Sequence, residues 1–184
     1  FLREEYEAAG LKPKFSILDE ADQLDAIKQA LIQLNLDPKK YSPESLHAQI
    51  SQFKAQITPP VPTAQARIQH LVFDSYLRRL KIMKGVDFED LIRIPVLLLE
   101  KNQEVRKRWI HKYEFIMVDE YQDTNKAQYL LINLLAEEHR NLCVVGDDWQ
   151  SIYKFRGADI KNILNFEQDY PEAKVIHLEQ NYRS

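Results

Sequence analysis

Apolar positions recur at three- and four-residue steps through the first half of the chain: Leu24, Ile27, Leu31 and Leu34; Leu46, Ile50 and Phe53; Ile68, Leu71, Val72, Tyr76 and Leu80. Such spacing lines one face of an α-helix and predicts three amphipathic helices before about Lys84. Asp37-Pro38, Ser42-Pro43 and the run Thr58-Pro59-Pro60-Val61-Pro62 separate them, because proline lacks a backbone donor and pushes the residue before it out of helical geometry. Ser42 and Ser45 offer hydroxyls that suit a helix start. Residues 1–84 therefore read as a small helical unit, and they hold no catalytic cluster.

From about residue 110 the period changes. Phe115 to Val118, Leu142 to Val145 and Val175 to Leu178 are short apolar runs rich in β-branched side chains, the composition of strands buried in a parallel sheet. Helical stretches, Lys126 to Glu138 and roughly Asp159 to Asp169, lie between them and are long enough to serve as crossovers. Strand alternating with helix predicts an α/β parallel sheet. Ligands of such sheets bind at the carboxyl ends of the strands. Asp119-Glu120, Gly146-Asp147-Asp148 and Glu179-Gln180-Asn181 would gather there on one edge.

Composition changes this picture little: 184 residues, 45% hydrophobic and 29% charged, describe an ordinary globular chain with room for one core or two small domains. Residues 1–84 carry 12 Lys and Arg against 10 Asp and Glu, and residues 85–184 carry 13 against 18. A net charge of -3 offers no general field for nucleic acid, so any such contact must come from local placement. The single cysteine, Cys143, excludes a disulfide framework and fits a reducing compartment, by default the cytoplasm. Inside a predicted buried strand it reads as a small core hydrophobe. No apolar run approaches a membrane span. The opening "FLREEYEAAG" has neither an initiator Met nor a signal-peptide pattern, and the chain reads as a piece of something larger. The five histidines are scattered singly and suit surface or capping roles, and Arg106, Lys107 and Arg108 suit a solvated helix face.

Chemistry concentrates in "VDEYQDTN", residues 118–125, where an apolar run drops directly into two acids. Several carboxylates brought together call for a cation or hydrogen-bond donors. Mg²⁺ commonly takes one or two protein carboxylates with phosphate and water, which makes Asp119 a candidate metal holder. Glu120, just beyond the strand, could then orient and deprotonate a water for attack on phosphorus. The four glycines, Gly10, Gly85, Gly146 and Gly157, form no G-x-x-x-x-G-K-[ST] phosphate loop. The residues alone leave two readings: half of a nucleotide hydrolase, or a complete metal-dependent site acting on another phosphate ester.

"VDEYQDTN" (118–125), "VVGDDWQSIYKFRGAD" (144–159) and "LEQNYRS" (178–184), in this order and spacing, resemble the Rep/PcrA/UvrD family of superfamily 1 DNA helicases, and "VDFEDLI" (86–92) and "NQEVRKRW" (102–109) add to the match. The resemblance implies a partial P-loop NTPase (RecA-like) parallel sheet in residues 85–184, the carboxyl-terminal part of a first motor domain. Residues 1–84 would be its inserted helical subdomain. It further implies ATP and Mg²⁺ as cofactors, single-stranded DNA and single-strand/duplex junctions as partners, and 3′ to 5′ movement. A Walker A segment and a second motor domain would come from the rest of the same polypeptide. Laid on matching positions, it makes Asp119 the Mg²⁺ ligand and Glu120 the general base. Gln150 becomes the γ-phosphate sensor, Tyr182 the residue stacking on adenine and Arg183 a γ-phosphate contact. Tyr153, Phe155 and Arg156 become contacts to single-stranded DNA. Trp149 stands where a small or acidic residue is usual, as in helicase IV-like members, and Phe155 replaces a common Trp. A helicase–nuclease subunit of the AddA/RecB kind and a non-enzymatic module that lost its P-loop are the alternatives.

Overall fold

A computed structural model of the protein describes residues 1–57, 66–150 and 157–178. The helical pattern of the first half is realised as α1 (Glu20–Gln33), α2 (Pro43–Ala55) and α3 (Arg67–Ile82). Two of the starts have local causes. The Asp19 carboxylate accepts the Asp22 N–H at 2.9 Å, and the Ser42 hydroxyl accepts the Ser45 N–H at 3.2 Å with Pro43 in the first turn. Ile27, Leu31, Leu46, Ile50, Val72, Phe73, Tyr76 and Leu80 close a shared core. Leu71 is left outside it, because Phe73 and Tyr76 turn the buried face of α3 away from it.

This helical unit leaves and rejoins the chain at adjacent points. β1 (Ser16–Ile17) runs parallel to β2 (Gly85–Val86), Ser16 opposite Gly85 and Ile17 opposite Val86. Residues 1–15 pack on the chain at and beyond β2. Leu2 and Phe15 meet Val86, and the Phe1 ring lies 4.5 Å from that of Trp109. Where the two sides meet, Lys54 at the end of α2 is fully buried against two carboxylates, Asp87 at 2.5 Å and Asp90 at 2.8 Å. The Tyr76 hydroxyl donates to Asp87 at 2.9 Å. Burial, opposed by Lys54, raises the Asp90 carboxyl above its ordinary range.

α4 (Asp90–Lys101) and α5 (Gln103–Lys112) come next, although Pro95 lies inside α4. Burial of Pro95, Val96, Leu98 and Leu99 outweighs the missing backbone donor. β3 (Ile116–Val118), α6 (Lys126–Ala136) and β4 (Leu142–Val144) then form a strand–helix–strand unit, with α6 packed on α4 and α5. α6 begins in a capping box in which Asn125 and Gln128 each accept the other's backbone N–H. The two strands pair in parallel, Met117 beside Cys143 and Val118 beside Val144.

Three expectations need correction. Val175 to Leu178 forms no strand: Ile176 and Leu178 are exposed, and no neighbouring chain supplies ladder hydrogen bonds among the described residues. Asp159 to Asp169 is not one helix but α7 (Lys161–Leu164) and α8 (Phe166–Asp169), broken at Asn165. Cys143 is exposed rather than buried. It shares an uncovered sheet face with Met117, which is 80% exposed. A two-stranded sheet buries only the face that its helices cover.

Candidate active site

β3 ends level with β4, and its backbone continues into a tight corner. Val145 donates its N–H to the Val118 carbonyl at 2.8 Å, and Tyr121 donates to the Val145 carbonyl at 2.9 Å. Between these bonds, Glu120 adopts the left-handed conformation, with φ 51° and ψ 43°. A residue with a Cβ pays about 1 kcal/mol or more for that geometry. One compensating contact is local, since the Asp119 carboxylate accepts the Glu120 N–H at 2.9 Å. The turn leaves both carboxylates exposed at the carboxyl end of β3. They are reachable by solvent, so the buried-charge penalty that the sequence suggested does not arise.

The rest of "YQDTN" is scaffold. Tyr121 is fully buried, with its ring edge-on to Phe166 at 5.6 Å. Burial raises its hydroxyl above the ordinary tyrosine range, and the nearby Tyr129 and Tyr170 add to the effect. Thr124 donates to the Tyr121 carbonyl at 2.7 Å and receives Asn162 at 3.1 Å, while its carbonyl accepts the Asp159 N–H at 3.0 Å. The motif thus anchors the segment returning at Gly157–Asn162. Asn125, its last residue, caps α6.

A second polar loop comes after β4. Asp147 accepts the Trp149 N–H at 3.0 Å and the Gln150 side-chain amide at 2.8 Å, which shapes the short 3₁₀ turn at residues 148–150. Gln150 is exposed there, and Trp149 is 87% exposed beside it. This loop and the Glu120 corner meet through Gln122, a buried side chain bonded to both. The structure therefore brings Asp119, Glu120 and Gln150 to one edge. Tyr153, Phe155, Arg156, Tyr182 and Arg183 lie outside the described residues, as does the third expected acid-bearing end at Glu179.

Sequence reasoning passed over Gln122 and gave Asp147 no role as an organiser. Neither stands out by periodicity, and only the fixed distance to the paired acids hints at them. The basic run also gains a specific contact: Arg108 donates twice to Glu5, both at 2.8 Å, and Trp109 adds a third bond at 2.8 Å.

The model of the UvrD/REP helicase N-terminal domain family matches residues 1–171. The chain belongs to the UvrD/REP helicase family. Among relatives of known name, it is 48% identical to the ATP-dependent DNA helicase PcrA of Bacillus subtilis (strain 168) and 47% identical to that of Staphylococcus aureus (strain Mu50 / ATCC 700699). Each comparison covers 100% of this chain and 26% of the relative. The chain thus spans about a quarter of the length of the curated relatives it matches. Within the part matched to the UvrD/REP helicase family lie Asp119, Glu120, Asp147 and Gln150, whereas Tyr182 and Arg183 fall beyond it.

Proposed function

We propose that this chain is part of an ATP-dependent DNA helicase or translocase that couples ATP hydrolysis to 3′ to 5′ movement on single-stranded DNA and to duplex unwinding. Residues 85–184 supply the carboxyl-terminal part of a RecA-like P-loop motor domain, and residues 1–84 supply its helical insert, whose first fifteen residues pack against the chain at and beyond β2. The observation that carries the reading is the strained corner at Glu120. A carboxylate is held out at the end of a parallel strand, beside Asp119 and in hydrogen-bonded continuity with the loop of Gln150.

Asp119 has the chemistry to hold Mg²⁺: an exposed carboxylate at a strand end, suited to an ion whose other ligands are phosphate and water. Bound there, the ion would offset charge on the β- and γ-phosphates. Glu120 accepts the proton of the attacking water, and Gln150 meets the γ-phosphate. Tyr182 stacks on adenine. Arg183 places a guanidinium fork against charge spread over phosphate oxygens. Tyr153 and Phe155 stack on bases without reading them, and Arg156 pairs with the DNA backbone. A Walker A segment and a second motor domain, both elsewhere in the same polypeptide, complete the ATP site. Such a protein works on DNA in the cytoplasm, and no helix among the described residues is long and apolar enough to cross a membrane.

Replacing Glu120 with Gln in the full-length protein tests this. The amide keeps the shape and loses the proton acceptor. ATP binding should stay within about twofold while hydrolysis falls by about two orders of magnitude or more. Wild-type turnover in Glu120→Gln would remove Glu120 from the chemistry.

A further inference from the structure

Gln122 is 1% exposed, yet its amide takes no part in a strand ladder or a helix cap. Its Oε1 accepts the Asp147 N–H at 3.0 Å, and its Nε2 donates to Glu120 Oε2 at 2.7 Å. The partners themselves settle which amide atom is which, because a backbone N–H can only donate and a carboxylate can only accept. A primary amide is the neutral group that answers both from one carbon. A carboxylate in its place would meet Glu120 with repulsion, and an apolar side chain would meet neither partner.

Gly146 gives independent support. A Cβ there would sit 2.6 Å from Gln122 Oε1 and 2.8 Å from the Ile163 side chain. Only a residue without a side chain lets the amide reach the second loop. From that loop the path continues, since Asp147 holds Gln150 through a side-chain bond at 2.8 Å and accepts its N–H at 3.1 Å. Glu120, Gln122, Asp147 and Gln150 form one unbroken line of hydrogen bonds across both strand ends.

We propose that Gln122 is a positioning residue, which fixes the Glu120 carboxylate for proton transfer and ties it to the loop that carries Gln150. The inference rests on the reading of Glu120 as general base and Gln150 as the γ-phosphate contact. Glu120 is exposed and its side chain is long, so an unanchored carboxylate would spend most of its time away from any attacking water. One bond to a buried anchor orients the carboxylate and leaves Oε1 for that water. Because the anchor is shared, a shift of Gln150 towards a γ-phosphate moves the base as well, which makes hydrolysis depend on how the loop sits.

The experiment is a double-mutant cycle in the full-length helicase, with Gln122→Met, Glu120→Gln and the pair compared for kcat and KM of DNA-stimulated ATP hydrolysis. Gln122→Met keeps the volume and deletes both bonds. Expected is a fall in kcat of about 10- to 100-fold with KM for ATP within about threefold. In the Glu120→Gln background the same substitution should change the residual rate by less than about twofold, because the group it positions is already gone. A merely structural role would multiply the two losses, and either that outcome or an unchanged kcat in Gln122→Met overturns the proposal. Should Gln122→Met fail to fold, Gln122→Asn, which keeps a neutral amide one carbon too short to bridge both partners, takes its place in the cycle with the same criteria. Wild-type turnover in Glu120→Gln alone would instead overturn the general-base reading beneath it, so the two failures are distinguishable.

Discussion

Lys54 and Asp87 form a buried ion pair at 2.5 Å, with side-chain exposures of 0% and 1%, between the last turn of α2 and the residue immediately after β2. Two carboxylates meet the Lys54 ammonium, the Tyr76 hydroxyl donates to Asp87, and the Arg93 guanidinium lies 3.8 Å from Asp90, so the charges are compensated as a group. Removing the cation alone leaves Asp87 and Asp90 buried against each other. Lys54→Met is expected to cost about 3–5 kcal/mol, measured as a shift of the urea midpoint in the intact protein. Adding Asp87→Asn and Asp90→Asn should recover part of that loss, because the buried negative charge then disappears with the positive one.

Glu5 carries the clearest pH signature. Burial pushes its carboxyl up, but hydrogen bonds from Arg108 and Trp109, together with the Arg108 charge, outweigh that and hold it below the ordinary range. A depressed carboxyl stabilises the folded state above its unfolded pKa, about 4.3 for Glu, and the contribution is lost as pH falls through the folded value. Glu5→Gln should therefore lower the thermal midpoint at pH 7 by the equivalent of about 1 kcal/mol. The difference from wild type should shrink progressively below about pH 4. A difference that stayed constant down to acid would assign the effect to packing on Trp109.

Much of the fold is legible in the sequence, for reasons that differ by element. α1 and α2 announce themselves because one face of each is apolar at helical spacing and an oxygen-bearing residue stands at the start. α4 is hidden by Pro95, and the run Val175 to Leu178 misleads because β-branched residues favour a strand only where a neighbour completes the ladder. Cys143 shows the same limit, since pattern can place a residue in a strand without saying whether that face is covered. At the site, Asp119 and Glu120 are legible from adjacent charge at a strand end. Gln122 is not, because its role lies in what it joins rather than in its own reactivity.

Asn125→Ala should cost about 1 kcal/mol of stability, since it removes the side-chain acceptor at the start of α6 and breaks the reciprocal bond with Gln128. The thermal midpoint of the intact protein measures it. Because α6 packs chiefly on α4, α5 and α2, ATP hydrolysis per folded molecule should stay near wild type at moderate temperature.

In the full-length protein, Tyr153→Ala and Phe155→Ala should each weaken binding of single-stranded DNA by about 1–3 kcal/mol if a base stacks on the ring. Arg156→Ala should instead flatten the dependence of affinity on salt, the mark of a lost phosphate contact. Titration of labelled oligonucleotide at several salt concentrations separates the two. Equal losses from all three, with unchanged salt slopes, would point to packing.

The chain taken alone should hydrolyse no ATP, because its four glycines make no phosphate-cradling loop. Phosphate release by the purified 184-residue chain with Mg²⁺ and single-stranded DNA, abolished by Glu120→Gln, would contradict this.

The parallel pairing of Ser16 with Gly85 and Ile17 with Val86 makes everything from Leu18 to Lys84 a closed excursion, departing from one strand and re-entering on its immediate neighbour, about 5 Å away. Chain that departs and returns at one place can lengthen, shorten or be exchanged without moving the surrounding backbone. The excursion is thus detachable in topology but not in charge. Excise it, and the strands can be rejoined by a short linker. Asp87 and Asp90 then lose Lys54 and the Tyr76 hydroxyl and face open solvent, where hydration replaces the ion pair, so any replacement segment that covers them again must bring its own cation.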